Sequence, residues 1–408
     1  MKRKIKITRR FVYSVTSLTI FLFILFFAII TFTIKNASKS SVIVDNSGVI
    51  DESLIIENDI NNSIDLEISD ISEDCSLEIS DIDDESYYND IDVSEVEDIE
   101  HGWVINEYGF TYVYNGCGYE QFNYKSSALN RYVNALNNFV ALVPAETRVF
   151  SITVPVSSTF AQIPREIYTA DNFYNQAQSA FVSTVAINTN ERITHIQIVD
   201  LLENLYDEGE YVYYRTDNNW TANAAFFAYE KFCEAAGMES KDLKFFQKNS
   251  VPNFLGSFYN ATKSEAMKNS PDEFIYYLPD NSVKTSLTVY DNGLIYTNYS
   301  IGGNNIDPSF AQNSYLGRDA ERYEIHTTFE GGSLLIIGDE SVYPMVSFLT
   351  SHYKNIDIIN PLKFKTDLCQ FLEERKYDDC LVMCYSTNSI NGDYIPIFNS
   401  LTGAITNE

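Results

Sequence analysis

Two short stretches carry side chains able to do chemistry together. Residues 216–221 read TDNNWT, and residues 338–341 read GDES at the end of an apolar run. The first sets Asp217 ahead of two amides, Asn218 and Asn219, and the indole of Trp220. The second puts Asp339, Glu340 and Ser341 in a row. With histidines in place of the asparagines, the first stretch would resemble part of a hydrolytic site, and a serine in the second would be its nucleophile. As written, the base is missing. A serine hydroxyl needs a neighbouring base to take its proton, and an amide has no nitrogen that titrates near neutrality. Glu340 as a carboxylate nucleophile would need an acid partner at a set separation, and nothing in the sequence marks one. The four histidines are His101, His195, His326 and His352. His195 is expected to begin a strand and His352 to end a helix, so neither is placed beside Ser341.

The elements that must position these residues are legible in part. Near-continuous apolar runs at 148–155, 195–201, 333–339, 356–360 and 380–385 have strand length. Such runs suit strands buried on both faces, as in a parallel sheet. Between them, Leu129, Val133, Leu136, Val140 and Val143 follow helical spacing. Residues 173–187, 221–236 and 342–353 read as further helices, with Gly237 as a C-terminal stop. Strand–helix alternation predicts an α/β domain, a three-layer α/β/α sandwich with a mostly parallel sheet. Residues 245–332 differ, being rich in Gly, Asn, Tyr and Thr. The DNG at 291–293 is a hairpin signal, and the segment is expected to be a β-hairpin insertion. Ligands of open parallel sheets bind at the carboxyl ends of the strands, and both chemical stretches fall at such ends.

The full chain has 408 residues, is 45% hydrophobic and carries a formal net charge of −29. That charge excludes a nucleic-acid partner, because phosphate binding needs clustered Lys and Arg. Six of the first ten residues are basic, and Phe11 to Ile34 is an uncharged run of 24 residues. A helix of that length reaches about 36 Å, enough for a bilayer core of about 30 Å with some tilt. The expected topology is a cytoplasmic tail at 1–10, a transmembrane signal anchor at 11–34 and an extracytoplasmic remainder. A cleaved signal peptide is the alternative, though its apolar core would be shorter. Between Lys39 and Lys125 there is no Lys or Arg, and residues 51–100 hold 20 of the 57 acids. Residues 35–100 are therefore read as an acidic low-complexity spacer, with LEISDI repeated at Leu66 and Leu77. The folded domain is expected at 101–408. Six cysteines show no zinc spacing, and Cys380 and Cys384 lie too far apart along one strand to pair.

The combination of stretches resembles the DHHW family of bacterial proteins, which carry TDHHWT or close variants before a helix and an apolar strand ending GDS about 120 residues later. Those proteins look like relatives of the SGNH-type hydrolases and of the alginate O-acetylation proteins. RVFSITVPVSSTF, NFLGSFYN, SPDEFIYYLP and LLIIGDESVYPMVSFLTSHYKNIDIINPLKF match as well. The resemblance spans roughly residues 104–395. It implies that Asp217 stands where the family aspartate stands and Trp220 where the family tryptophan stands. Asn218 and Asn219 then occupy the two histidine positions. Asp339 fits, Glu340 replaces the nucleophilic serine, and Ser341 falls one place late as a fallback nucleophile.

Taken together, these readings imply a membrane-anchored, extracytoplasmic, SGNH-hydrolase-like protein whose catalytic positions Asp217, Asn219 and Glu340 are degenerate. Its expected partners are the membrane, through one helix, and cell-envelope polysaccharide or the proteins that make it. Asp217, Asn218, Asn219, Trp220, Asp339, Glu340 and Ser341 are the candidate ligand-binding set. Two alternatives stay open for the first motif: Trp220 is core, and the asparagines merely cap the helix at 221. An active esterase or O-acyltransferase using Ser341 is the alternative function. Asp217, Asp339 and Glu340 are hard ligands that would favour Ca²⁺ or Mg²⁺ if they converged. Two acids at a strand end are usually solvated, however, and neither a metal nor a cofactor is expected.

Overall fold

The computed structural model describes residues 100–106, 109–302 and 311–403, which belong to one compact unit spanning Asp90–Glu408. The expectations for the basic tail, the anchor at 11–34 and the spacer lie outside the described residues. Among the described residues, no helix is long and apolar enough to cross a membrane.

The core is an eight-stranded sheet built from β4 (Arg148–Val154), β5 (Ile193–His195), β8 (Thr285–Asp291), β9 (Leu294–Tyr299), β10 (Arg322–Thr327), β11 (Gly332–Gly338), β12 (Tyr353–Ile359) and β13 (Asp379–Tyr385). The strand order is β5-β4-β13-β11-β12-β10-β8-β9. From β5 through β12 all pairings are parallel. Beyond β12 the sheet turns antiparallel through β10, β8 and β9. Composition separates the two halves. Leu334 to Ile337 and Leu381 to Cys384 are buried without alternation, as strands covered on both faces must be. Strand β8 alternates instead, with Leu287 and Val289 buried and Ser286 exposed.

The sheet is thus mixed, where a mostly parallel one was expected. The segment read as an insertion supplies β8, β9 and β10 to the main sheet itself. Its DNG turn is as predicted: Asn292 and Gly293 take φ of 50° and 76°, the paired positive angles a tight hairpin needs. The expected strand over 195–201 is also corrected. Strand β5 ends at His195, and Val199–Asp207 is a helix whose buried Val199, Leu202 and Leu205 follow helical spacing. A run of apolar residues that short does not distinguish the two by itself.

Outside the main sheet, β1 (His101–Asn106), β2 (Gly109–Tyr114) and β3 (Cys117–Tyr119) form an antiparallel meander, while β6 (Gln247–Phe254) and β7 (Asp272–Leu278) pair antiparallel across a helical connection. The helices that matter below are α1 (Ser126–Leu142), α2 (Gln178–Asn188), α3 (Val199–Asp207), α4 (Ala222–Ala236), α5 (Ser257–Thr262), α6 (Tyr343–Leu349), α7 (Ser386–Ile390) and α8 (Tyr394–Leu401). They pack in separate groups: α1 against α2, α7 and α8, and α4 against α6 and β7. Helix α1 buries Leu129, Val133, Leu136 and Val140, the face its periodicity marked. Helix α4 ends at Gly237, whose φ of 67° closes the last turn onto the Cys233 and Glu234 carbonyls.

Candidate functional site

The parallel strands deliver their carboxyl ends to one edge of the sheet. After β11 the chain must turn sharply, and Gly338 permits it. A Cβ there would press on the Met383 carbonyl and on Val342. Asp339 follows as the cap of the next turn, its Oδ1 accepting the Ser341 N–H at 3.0 Å. Its Oδ2 accepts the Tyr385 N–H at 2.9 Å and the Asn388 side-chain amide at 2.7 Å. The Asp339 carboxylate is therefore a structural clasp between the ends of β11 and β13.

The TDNNWT stretch is a loop pinned at its ends by a bridge between Tyr213 and Trp220. Asp272 holds its start, accepting the Thr216 N–H at 2.9 Å and the Thr216 hydroxyl at 2.7 Å. Asp217 accepts the Asn219 N–H at 3.0 Å and the Asn219 side-chain amide at 2.7 Å on Oδ1, and the Ser257 N–H at 2.8 Å on Oδ2. Gly256 leaves room for that carboxylate, since any Cβ at 256 would fall inside contact distance of Asp217.

The two stretches meet. The Trp220 indole N–H donates to the Ser341 carbonyl at 3.0 Å. The Tyr385 hydroxyl donates to Asn219 Oδ1 at 3.0 Å and accepts the Trp220 N–H at 3.1 Å. Residues separated by more than 120 positions thus form one hydrogen-bonded unit. Within it both polar atoms of the Asn219 amide are engaged, Oδ1 by Tyr385 and Nδ2 by Asp217 and Asn218.

Several members of the candidate ligand set turn out to be interior. Trp220 and Ser341 are each 0% exposed. Trp220 is core and offers no face to a ligand. Ser341 Oγ is enclosed by the surrounding protein, next to the Asp339 carboxylate. Nor do the asparagines cap α4. Thr221 does so, its hydroxyl accepting the Ala224 N–H at 3.2 Å. Asn218 is half-buried, exchanging hydrogen bonds with Ser257: its N–H donates to Ser257 Oγ at 3.1 Å, and its Oδ1 accepts that hydroxyl at 2.8 Å.

All four histidines are engaged elsewhere. His101 pairs with Asp171, His195 with Thr189, His326 with Asn355 and His352 with Tyr229. Burial lowers both His195 and His352 to about 4, so they are neutral at physiological pH.

What the solvent does reach is acidic. Glu340 is half-buried, and its carboxyl is held well above the ordinary range, first by desolvation and then by the charge of Asp339. Asp339 is raised by burial as well, against the pull of its donors toward the charged form. A third acid, Glu120, lies just past β3. Desolvation, with help from Asp217 and Asp339, pushes it up to about 7. Sequence reasoning missed Glu120, Tyr385 and Asn388. Tyr385 had one usable signal, its place at the carboxyl end of a buried strand. Glu120 had none. Among the described residues, no group of three or more His, Cys, Asp or Glu side chains is disposed to hold a metal ion.

Comparison with known proteins places this geometry. The family model described as DHHW protein matches residues 36–359. Among solved structures, a DHHW family protein from Eubacterium siraeum is 22% identical with a TM-score of 0.63, the match covering 73% of this chain and 97% of that one. Bacillus cereus PatB1 with a sulfonyl adduct is 14% identical with a TM-score of 0.56, covering 73% of this chain and 98% of that one. A second structure of Bacillus cereus PatB1 is 16% identical with the same TM-score, covering 72% and 99%. The likeness is one of fold. No curated protein matches the chain.

Proposed function

Because this chain belongs to the DHHW family, we propose that it is a membrane-anchored, extracytoplasmic binding or accessory protein for cell-envelope glycans and does not itself transfer acyl groups. The observation that carries the proposal is the state of residue 219. The position that a base would need holds an amide, and both of its polar atoms are already bonded, to Asp217 and Tyr385. Beside it, Glu340 stands in the nucleophile position and the Ser341 hydroxyl is enclosed. Acyl transfer needs an activated oxygen and a base within about 3 Å of each other. The finer architecture in this reading is a three-layer α/β/α sandwich of the SGNH-hydrolase type, supported by the two separately packed groups of helices. Anchoring rests on the six basic residues ahead of the uncharged run at 11–34.

Three measurements test the reading. Protease added to intact cells should remove the domain, whereas a protected domain overturns the topology. A sulfonyl reagent should leave Ser341 unmodified, in contrast to PatB1, which carries a sulfonyl adduct. Robust turnover of an acetyl ester, abolished by Ser341→Ala, would restore the esterase or O-acyltransferase alternative.

A further inference from the structure

Composition reverses where the acidic spacer ends. Residues 51–100 hold 20 acids, whereas 101–119 read HGWVINEYGFTYVYNGCGY, with six aromatic rings and Glu107 the one Asp, Glu, Lys or Arg. This stretch forms the β1–β3 meander. Register sets Trp103 opposite Tyr112 and Ile105 opposite Phe110, so these four side chains share one face of the hairpin. Half of that face is covered. Tyr112 stacks on Phe173 with ring centres 4.3 Å apart, and Trp103 lies 5.6 Å from the same ring. Asp171 fastens it, its backbone carbonyl accepting the Trp103 indole N–H at 2.8 Å and its carboxylate the Tyr112 hydroxyl at 2.8 Å. The other half is bare: Ile105 is 65% exposed and Phe110 69%. A hairpin clamped at its base thus carries an opposed pair of apolar side chains into solvent. Single exposed apolar residues need no explanation, but contiguous ones mark a contact surface.

Position and charge say what covers the pair. In the anchored topology the chain reaches the domain at this hairpin, the first described element after the apolar run at 11–34. Residues 101–408 carry 20 basic and 36 acidic side chains, an excess that lipid phosphates oppose. Strands β1 and β2 contain none of those acids. Helix α5 packs on both strands, and the Asn106 side-chain amide donates to its Ala261 carbonyl at 2.5 Å. Lys263, just past the end of α5, is exposed and lies 5.0 Å over the Tyr259 ring. An apolar pair bordered by Trp, Tyr and a lysine suits a bilayer interface, where aromatic rings lie at headgroup level and lysine reaches the phosphates. Two side chains projecting from a hairpin end offer a peptide no groove, whereas the headgroup–acyl boundary accepts them as they stand.

We infer that the Ile105–Phe110 end of the β1–β2 hairpin rests on a lipid bilayer, with both side chains in the headgroup–acyl boundary and Lys263 among the lipid phosphates. The inference rests on the anchored topology proposed above and adds to it the face that the domain turns to the membrane.

The chain holds two tryptophans, half-buried Trp103 beside the pair and enclosed Trp220, so indole fluorescence reports on the hairpin. The full chain is reconstituted into phosphatidylcholine vesicles with and without bromine in the upper part of one acyl chain, and its retention is checked by an alkaline carbonate wash. Brominated lipid should quench Trp103. Phe110→Ser should abolish that loss of emission. In Phe110→Trp, which keeps a ring at the hairpin end, the added indole should be quenched more strongly than Trp103. Near-UV circular dichroism checks that both variants fold as the parent does. Equal emission in the two lipids, with the chain retained through the wash, would overturn the bilayer contact and leave the anchor standing. Dimers in detergent that Phe110→Ser dissociates would assign the pair to a second copy and also overturn it. Extraction of the chain by carbonate would instead sink the anchored topology, and the inference with it.

Discussion

Asn219 accepts the Tyr385 hydroxyl at 3.0 Å across 166 positions of chain. That bond ties the TDNNWT loop to the end of β13 and, with the bonds from Nδ2 to Asp217 and Asn218, engages both polar atoms of the amide at 219. A position that would hold a mobile base in a hydrolase is here part of the framework.

Removing that hydroxyl should be costly. In Tyr385→Phe the Asn219 carbonyl and the buried Trp220 N–H both lose their partner. An unsatisfied buried group costs about 1–3 kcal/mol. Denaturant unfolding should show a lower midpoint with an unchanged slope, and an unshifted midpoint would contradict the bridging role.

Gly256→Ala should act on Asp217 from below. A methyl group at 256 overlaps the carboxylate that accepts the Asn219 and Ser257 donors. Overpacking of a tight site costs about 1–3 kcal/mol. The check is unfolding free energy, with Gly392→Ala as a control for the loss of glycine at an open position without positive φ.

Catalytic repair should require two changes at once. Asn219→His puts an imidazole beside Asp217, which already bonds the residue-219 side chain at 2.7 Å. Glu340→Ser supplies the hydroxyl. Members of such a unit are strongly non-additive, so each single variant should show acetyl-ester hydrolysis at the parent's background and only the double variant should rise above it. A single variant as active as the double would defeat the argument.

The acidic edge should make stability depend on pH in a defined direction. Glu120 is raised from the ordinary carboxylate range to about 7. A raised carboxyl holds its proton longer folded than unfolded, so its contribution is present below the unfolded value and lost as pH rises through about 7. His195 and His352, lowered to about 4, act in the opposite sense below their unfolded value near 6.5. The clean readout is therefore a difference. Glu120→Gln should match the parent near pH 5 and exceed it at pH 8 by about 1–2 kcal/mol. A pH-independent difference would show that the carboxyl is not desolvated as described.

The sequence by itself determined the local elements and the residue types at the two motifs. Continuous apolar runs marked β4, β11, β12 and β13, because strands buried on both faces have no polar positions to alternate. DNG fixed the β8–β9 turn, because Asn and Gly tolerate the positive φ that turn demands. That Asn219 and Glu340 stand where the resemblance puts a base and a nucleophile was legible as a plain difference of residue type. Tertiary structure decided which side chains remain available. Trp220 and Ser341 are sealed in, and Glu120 is brought to Asp217 and Asp339 from a strand meander far away in the chain. No local pattern encodes such a meeting. It depends on how the β1–β3 meander, the TDNNWT loop and the ends of β11 and β13 pack together. The same holds for the sheet's antiparallel half, where polar, alternating strands looked like an appendage until β10 paired with β12 and drew them into the core.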